Sequence, residues 1–204
     1  MPKINGTARG RPPSTTHGHV GEVALRLFRQ RGFEQTTVDD IAAELGIARR
    51  TLFRYFPSKN DIVWGDFDSV LDRLRAELGA RDPAAPMLDT LREAVVASNA
   101  YPAELLPELR TRITLITRVP ALQAHSMLRY AAWRRVVAEF VAGRVGVGAD
   151  DLLPRALGYA ALAASTSAFG YWVDTPDSDL PSLLDRSYRM LAAGFALESH
   201  DRRG

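Results

Sequence analysis

The 204-residue sequence contains no cysteine. Disulfide bonds, thiolate metal ligands and thiol nucleophiles are therefore excluded, and the composition suits the reducing conditions of the cytosol. The signatures Gly-x-Ser-x-Gly and His-Glu-x-x-His are also absent, and no other pattern places a nucleophile and its base at a telling spacing. We therefore predict a cytoplasmic protein that is not an enzyme and needs no cofactor.

Long hydrophobic runs are missing as well. The only long uncharged stretch, residues 157–173, includes Ser165, Thr166 and Ser167 and is shorter than the roughly 20 residues that span a bilayer. The N-terminal residues are polar and basic, unlike the apolar segment of a signal peptide. We predict no membrane association and expect residues 157–173 to form a buried interface helix.

Histidine and glycine offer little chemistry. His17 and His19 have a spacing that suits metal chelation, but no third ligand is evident nearby, so no metal site is predicted. The glycines at 143, 146 and 148 follow a helical segment rather than a strand and lack the spacing of a dinucleotide-binding loop. We interpret them as a helix terminator.

Charge is distributed unevenly along the chain. Residues 1–60 carry ten Lys or Arg and five Asp or Glu, a net charge of +5, whereas residues 61–204 carry sixteen and nineteen, a net charge of −3. A basic N-terminal third is the expected footprint of a module that binds nucleic-acid phosphates. The remaining two thirds present a different surface and so predict a different task.

Helical periodicity runs through the sequence, and no segment shows sustained strand alternation. We predict an all-α protein with a flexible basic tail (1–14), a three-helix DNA-binding domain (15–60) and a helical ligand-binding and dimerisation domain (61–204). Ser58 and Asp61 have the spacing of a helix start. The predicted helices beyond the DNA-binding domain are 58–80, 87–100, 102–110, 112–118, 120–145, 150–173 and 179–198.

Residues 36–59 read as two short helices joined by a tight turn. Thr37 stands at an N-cap position, and Asp39 and Asp40 follow in the first turn, where carboxylates suit the helix dipole. Gly46 supplies the left-handed conformation that such a turn needs. The second helix carries arginines and aromatic residues, so the pattern predicts a helix-turn-helix whose second helix enters a DNA groove.

The segment from Ala48 to Asp61, Ala-Arg-Arg-Thr-Leu-Phe-Arg-Tyr-Phe-Pro-Ser-Lys-Asn-Asp, resembles the signature of TetR-type transcriptional regulators. Residues 64–68, 119–126 and 130–134 extend the likeness to the regulators that accompany mycofactocin biosynthesis genes in actinobacteria. The resemblance implies a homodimer that binds palindromic double-stranded DNA and responds to a small molecule. One departure is Phe53, because many relatives place a phosphate-contacting tyrosine there; we expect Phe53 to be partly in the core.

The DNA-contacting residues are predicted from chemistry and spacing. Arginine can donate two hydrogen bonds to guanine, and threonine can contact a thymine methyl group. The candidates for base contacts are Arg49, Arg50, Thr51 and Arg54, and the sequence does not rank Arg49 against Arg50. The candidates for phosphate contacts, which match positions that commonly serve so in the resembled family, are Thr37, Tyr55 and Lys59.

A ligand cavity is predicted between the helices of residues 87–173, which combine large apolar side chains with scattered polar groups. The ligand-binding candidates are Asn99, Tyr101, Met127, Tyr130, Trp133, Thr166 and Phe169; for each of them a role in the core is the alternative. Five arginines could hold an anionic head group or could equally form surface ion pairs: Arg112, Arg118, Arg129, Arg134 and Arg135. A long-chain fatty acyl-CoA would satisfy both the apolar walls and the cations.

The predicted helix at 150–173 is rich in small residues, which allow close helix approach. With the helix at 179–198, whose apolar face includes Phe195, it predicts a four-helix dimer interface. Burial of the small residues inside one monomer is the alternative. The combined prediction is a repressor released by a lipophilic effector. A constitutive DNA-binding or architectural protein and a helical enzyme with an accidental N-terminal likeness are the competing classes.

Overall fold

The computed structural model describes residues 16–194. Within this range the chain folds into α-helices and one short 3-10 helix, with no strand, so the predicted all-α class is confirmed. None of the helices in this range combines the length and the apolar character that crossing a bilayer requires. The predicted basic tail and Phe195 lie outside the described residues.

The helices follow one another with short connections. They are α1 (His17–Arg31), α2 (Val38–Glu44), α3 (Arg49–Tyr55), α4 (Lys59–Trp64), α5 (Phe67–Gly79), α6 (Met87–Ser98), α7 (Leu106–Arg118), α8 (Pro120–Val145), α9 (Leu152–Asp174) and α10 (Leu180–Ala192). The 3-10 helix (Ala103–Leu105) directly precedes α7. The helices predicted at 87–100, 120–145 and 150–173 therefore agree with α6, α8 and α9 to within two residues.

The prediction of one long helix over residues 58–80 is wrong, because the chain breaks between α4 and α5. Gly65 has φ of 61°, a left-handed conformation that a side chain would penalise. Its N–H donates to the carbonyl oxygens of Asp61 and Ile62, which ends α4. The side chain of Asp66 then accepts from Ser69 N–H and starts α5. A terminating glycine and a capping aspartate thus sit inside a segment whose apolar spacing looks continuous.

The prediction of separate helices at 102–110 and 112–118 is also wrong. Residues 106–118 form the single helix α7, with Pro107 in its first turn, where proline costs no hydrogen bond. The Thr111 hydroxyl donates to the Pro107 carbonyl oxygen at 2.9 Å. The helix therefore runs on through the predicted break.

Two hydrophobic clusters organise the fold. The first joins α1 to α4 and also contains Ile116 from α7 and Leu122 from α8. The second is built by α5, α6, α8, α9 and α10 and begins with Phe67. The first cluster extends to Val63, so α4 packs with α1, α2 and α3. These four helices are called the N-terminal unit below, and they carry the helix-turn-helix. The domain boundary at residue 60 stays a prediction.

The small residues of α9 serve close packing within the chain. At Gly158, a Cβ would lie 3.0 Å from the Arg134 carbonyl oxygen on α8. On α10, Tyr188 is fully packed, exchanges a 2.9 Å hydrogen bond with Ser165 and donates to the Ala161 carbonyl oxygen at 3.0 Å. Burial raises the pKa of Tyr188. One face of α9 is therefore used inside the monomer, as the alternative to a dimer interface predicted, and its opposite face is exposed.

Candidate DNA-binding surface and effector cavity

Thr37 caps α2 as the sequence predicts. Its hydroxyl accepts from Asp40 N–H at 3.0 Å, and the Asp40 carboxylate accepts from Thr37 N–H at 2.8 Å, which completes a capping box. The Thr37 hydroxyl also donates to Asp40 at 2.6 Å. These hydrogen bonds lower the pKa of Asp40. Thr37 is exposed, so it remains at the surface of the helix-turn-helix while its side chain caps α2. The second helix of this motif, α3, is called the recognition helix below.

The turn between α2 and α3 has the predicted geometry, with Gly46 at φ of 64°. Leu52 and Phe56 are buried against α1 and α2, which fixes how α3 sits on the N-terminal unit. Phe53 is 39% exposed and lies 5.4 Å below the Arg49 guanidinium. The expectation that Phe53 belongs partly to the core is therefore wrong; it shields an arginine at the surface.

The arginines of α3 differ in their partners. Arg49 forms an ion pair with Asp39 at 3.0 Å, across the turn between the two helices. Arg50 and Arg54 are both exposed, and neither forms an ion pair with any residue from 16 to 194. Because positions four apart lie on the same face of a helix, Arg50 and Arg54 present two cations together. The structure thus distinguishes Arg49, which has a carboxylate partner, from Arg50, which has no ion pair with a described residue. The sequence alone does not rank the two.

The remaining candidates for DNA contacts differ in their exposure and in their partners within the chain. Thr51 is partly exposed on α3, and Tyr55 lies edge-on to the ring of His17 at 5.2 Å. Lys59 instead turns inward. Its ammonium donates to the carbonyl oxygens of Phe33 and Thr36 at 2.9 and 3.1 Å and lies over the Phe33 ring. In this conformation Lys59 fastens α4 to the turn between α1 and α2.

A buried carboxylate connects the N-terminal unit to α8. Asp61 is 8% exposed and accepts from Ser58 at 2.7 Å, from Arg129 at 2.8 Å and from the His125 ring at 3.0 Å. Burial raises the pKa of Asp61, but the hydrogen bonds from Ser58, Arg129 and His125 outweigh it and leave the pKa below its ordinary value. Asp61 is therefore an ionised link between α4 and α8.

Arg112 makes a second connection, from α7 to the end of α4. One guanidinium nitrogen donates to the carbonyl oxygens of Ile62 and Val63 at 2.9 and 2.7 Å. The other nitrogens donate to Glu108 on the same helix. The guanidinium also lies so near Gly21 of α1 that a Cβ there would stand 2.8 Å from it. Arg112 thus holds the last turn of α4 and touches α1.

An apolar cavity of about 140 Å³ lies beside this turn. Its walls come from α4 to α9 and from the loop after α6. The lining residues are Val63, Trp64, Phe67, Val70, Leu74, Ser98, Asn99, Tyr101, Leu109, Arg112, Ile113, Ile116, Thr117, Tyr130, Trp133, Leu162, Ser165, Thr166 and Phe169. The last turn of α4 is therefore a wall of the cavity as well as part of the DNA-binding unit.

A second cavity, of about 470 Å³, adjoins the first through Asn99 and Tyr101. It is more polar, with Arg110 and Asp179 in its wall. The Arg110 guanidinium lies 4.1 Å from the Trp172 ring and donates to the carbonyl oxygen of Pro176 at 3.1 Å. The Tyr101 hydroxyl between the cavities accepts from Arg73 at 2.8 Å.

Most of the predicted ligand candidates lie together in the first cavity. Those in its wall are Asn99, Tyr101, Tyr130, Trp133, Thr166 and Phe169. Met127 is corrected: it is 62% exposed and is not part of the wall. Met127 lies one helical position from buried Ser126, and a single step along a helix turns the side chain by about 100°. It therefore faces outward while Tyr130 faces the cavity.

The walls contributed by α4 and α5, which include Trp64 and Phe67, are not among the residues predicted from the sequence. Both residues fall in the predicted helix over residues 58–80, outside the segment in which the cavity is predicted, and the large aromatic side chain of Trp64 is the signal that could have revealed this wall. Burial raises the pKa of the lining tyrosines Tyr101 and Tyr130, so both phenols are neutral hydrogen-bonding groups at neutral pH.

The five arginines proposed for a head group are mainly ion-pair partners. Arg118 pairs with Asp174, and Arg135 pairs with Glu139 and Asp150. Arg129 pairs with Asp61, as described above, and Arg134 lies over a tyrosine ring. Arg112 alone among the five lines the cavity. Between residues 16 and 194 no group of three His, Asp or Glu side chains is arranged to hold a metal ion.

Comparisons with known proteins agree with this arrangement. The family model described as bacterial regulatory proteins, tetR family, matches residues 22–63, and the model described as MftR C-terminal domain matches residues 85–196. The Mycobacterium tuberculosis protein named mycofactocin biosynthesis transcriptional regulator MftR is 40% identical over 186 residues. This alignment covers 91% of the present chain and 94% of that protein.

Solved structures share the fold. Thermus thermophilus FadR, a TetR family transcriptional repressor solved in complex with lauroyl-CoA, matches with a TM-score of 0.58 at 23% identity, over 93% of this chain and all of that one. The fatty acid degradation regulator FadR from Bacillus halodurans matches with a TM-score of 0.65 at 18% identity, over 92% and 99% of the two chains. The chain therefore belongs to the TetR family of DNA-binding transcriptional regulators, a family without enzymatic activity, and carries an MftR-type C-terminal domain.

Proposed function

We propose that this regulator is a homodimeric repressor that binds a palindromic operator and is released by a long-chain fatty acyl-CoA. Its 40% sequence identity with the mycofactocin regulator of M. tuberculosis supports the proposal that its target genes are linked to mycofactocin biosynthesis. The observation that carries the proposal is the apolar cavity closed on one side by the last turn of α4. A molecule in this cavity contacts the DNA-binding unit directly.

The proposed DNA contacts divide into base-reading and positioning groups. Arg50 and Arg54 are exposed cations on one face of α3, which suits bidentate hydrogen bonds to guanine in the major groove. Thr37 and Tyr55 are proposed to contact phosphates, which fixes register without reading sequence. For Arg49 and Lys59, binding to DNA requires exchange of an internal partner, Asp39 for Arg49 and two carbonyl oxygens for Lys59.

The proposed dimer uses the outer face of α9. Exposed residues recur along one stripe of this helix, with tyrosines near both ends, and Met190 of α10 is 45% exposed. The stripe consists of Ala156, Tyr159, Ala163, Ser167 and Tyr171. Self-complementary faces of this kind produce twofold dimers. Such a dimer would present its recognition helices to successive major grooves, about 34 Å apart.

The proposed effector matches the two adjoining cavities. The apolar cavity suits an acyl chain, and the neighbouring polar cavity with Arg110 suits the phosphate-bearing coenzyme part. The FadR neighbour that was solved with lauroyl-CoA has the same fold. In another protein a cavity of about 150 Å³ accommodates benzene, so a long acyl chain requires the walls of this 140 Å³ cavity to move apart.

Wall movement provides the proposed release mechanism. The described conformation, with its small cavity and with α4 held by Arg112 and Asp61, is the state that binds DNA. An effector that binds only an expanded cavity shifts the equilibrium away from this state, by as much as its affinities for the two states differ. Because α4 belongs to the N-terminal core, displacement of its last turn tilts the recognition helices.

Fluorescence anisotropy tests the proposal. The probe is labelled DNA from upstream of the protein's own gene, titrated at fixed salt with and without oleoyl-CoA, with free coenzyme A as the control for the head group. We expect tight, sequence-dependent binding that oleoyl-CoA weakens at least tenfold and that free coenzyme A leaves unchanged. Binding that no acyl-CoA alters would contradict the effector and would favour a constitutive DNA-binding protein.

A further inference from the structure

Trp64 occupies a position shared by the cavity and the DNA-binding unit. It is the last residue of α4, lines the cavity, and stands edge-on to two other lining rings, Phe67 at 5.2 Å and Tyr130 at 5.7 Å. Gly65 follows immediately and ends the helix. Any contact with the Trp64 side chain is therefore a contact with the end of α4.

The indole N–H of Trp64 lacks a hydrogen-bond acceptor. Its Nε1 atom is buried and has no partner among residues 16–194. Two arginine Nε atoms share this condition, in Arg81 and Arg92, but the other nitrogens of both side chains form ion pairs. For Trp64 the unpaired atom is the only polar atom in the side chain. Buried donors without an acceptor are rare in folded proteins because they lose hydration without compensation.

We propose that Trp64 is the effector-reading residue of the cavity and that its Nε1–H donates a hydrogen bond to the thioester carbonyl oxygen of the bound acyl-CoA. This inference rests on the proposed function and specifies how the site recognises its ligand class. The carbonyl oxygen is the hydrogen-bond acceptor next to the acyl chain, so it is the ligand atom that can pair with a donor in the wall of the apolar cavity. The expansion that admits the chain brings this oxygen to the buried N–H.

The contact also accounts for transmission of the signal. Arg112 donates to the carbonyl oxygens of Ile62 and Val63, the two residues before Trp64. An effector that engages Trp64 thus acts on the same helical turn that Arg112 holds in the described state. Binding of the effector in the cavity and release of α4 from Arg112 then occur together.

A pair of matched ligands tests the hydrogen bond. Palmitoyl-CoA and S-hexadecyl-CoA have the same chain and head group, but the thioether lacks the carbonyl oxygen. We expect wild type to bind palmitoyl-CoA about five to ten times more tightly than the thioether, since a typical hydrogen bond contributes about that factor. In Trp64→Phe, which keeps an aromatic ring and removes the N–H, we expect this preference to disappear. The comparison is a double-mutant cycle, so general packing losses cancel.

Trp133→Phe is the control variant. It replaces another indole in the cavity wall by a smaller ring, so it should lower the affinity for both ligands without changing the ratio of the two affinities. If Trp64→Phe is poorly folded by circular dichroism, the indole N–H resonances of wild type replace it. The chain has three tryptophans, and we expect palmitoyl-CoA, unlike the thioether, to move the Trp64 N–H signal downfield.

The outcomes distinguish this inference from the proposed function. Equal affinity of wild type for the two ligands would overturn the role of Trp64 and leave an acyl-CoA effector intact. A preference that survives in Trp64→Phe would assign the carbonyl to another donor and would also overturn it. If wild type binds neither ligand, both the effector class and the role of Trp64 are rejected.

Discussion

At the scale of single residues, neighbouring side chains of the same type have different surroundings. Arg49 and Arg50 are adjacent, yet Arg49 is paired with Asp39 and covers Phe53, while Arg50 is exposed without an ion pair to any described residue. A cation that already has a carboxylate partner gives up that partner on binding DNA. The net gain from its DNA contact is therefore smaller.

We predict that Arg50→Ala and Arg54→Ala each weaken operator binding by about 1–3 kcal/mol, the usual cost of losing a bidentate contact to guanine. Arg49→Ala should cost less than either. Anisotropy at fixed salt with operator and scrambled DNA measures both the affinity and its sequence dependence. Arg49→Ala serves as the matched control on the adjacent position, and a larger loss for Arg49→Ala than for Arg50→Ala would contradict the ranking.

The sequence could predict the types of the DNA-contacting residues but not these differences. Helical spacing and the basic composition identify the outer face of α3 from residues that are close in the chain. The Arg49–Asp39 pair, by contrast, depends on how tightly the turn at Gly46 folds. The inward conformation of Lys59 depends on carbonyl oxygens 23 and 26 residues earlier. Such partners become visible only in three dimensions.

At the scale of helices, α4 is a separate six-residue helix held by two links rather than the first part of the predicted helix over residues 58–80. Asp61 fixes it to α8, and Arg112 fixes its last turn to α7. The acceptor and donors of the first link are 64 and 68 residues apart in sequence. Local capping signals at Ser58 and Gly65 were readable in the sequence, but these long-range links were not.

We predict that Asp61→Asn lowers the free energy of unfolding by about 1–3 kcal/mol at pH 7, because the partly buried side chains of Arg129 and Ser58 lose a charged acceptor. The pKa of Asp61 is lowered in the folded state, so its contribution is present above the unfolded pKa of about 3.9 and is lost as pH falls through the folded pKa. The difference between wild type and Asp61→Asn should therefore shrink on going from pH 7 to pH 3.

Urea unfolding at several pH values measures this difference. Asp72→Asn is the control, because Asp72 is a 74% exposed carboxylate that pairs with Arg75 on the same helix. Exposed pairs of this kind contribute about 0–1 kcal/mol. A stability gap for Asp61→Asn that stays constant down to pH 3 would show that the carboxylate charge is not what joins α4 to α8.

At the scale of the whole molecule, the fold class and part of the cavity wall followed from helical spacing and the family signature. Six of the seven proposed ligand residues line the cavity. Helical periodicity identifies the inner faces of α8 and α9, which hold four of them, and Asn99 and Tyr101 come from the loop after α6. Periodicity alone does not show which helix end closes the cavity, so Val63 and Trp64 were missed. The small residues of α9 were ambiguous for the same reason, because close packing inside a chain and between chains requires the same side chains.

We predict that Ala163→Arg, in the middle of the exposed α9 stripe, converts the dimer to a monomer at micromolar concentration. A long charged side chain at a self-complementary face meets its own copy across the twofold axis. Sedimentation velocity measures the change, and operator affinity should fall at least tenfold because the two half-sites are no longer bound together. Ala76→Arg, at an exposed position of α5, is the control and should remain dimeric. A dimeric Ala163→Arg would place the interface elsewhere.

The last turn of α4 has a consequence for how this regulator diversifies. Val63 and Trp64 form part of the cavity wall and belong to a helix that packs in the N-terminal core. Under the proposed release mechanism, a substitution there alters ligand recognition and the DNA-binding response together. Adaptation to a new effector is less constrained on α9, which forms none of the links to α4 described above. Descendants of this protein should therefore vary most in the walls far from α4, while its final turn changes only in step with the response itself.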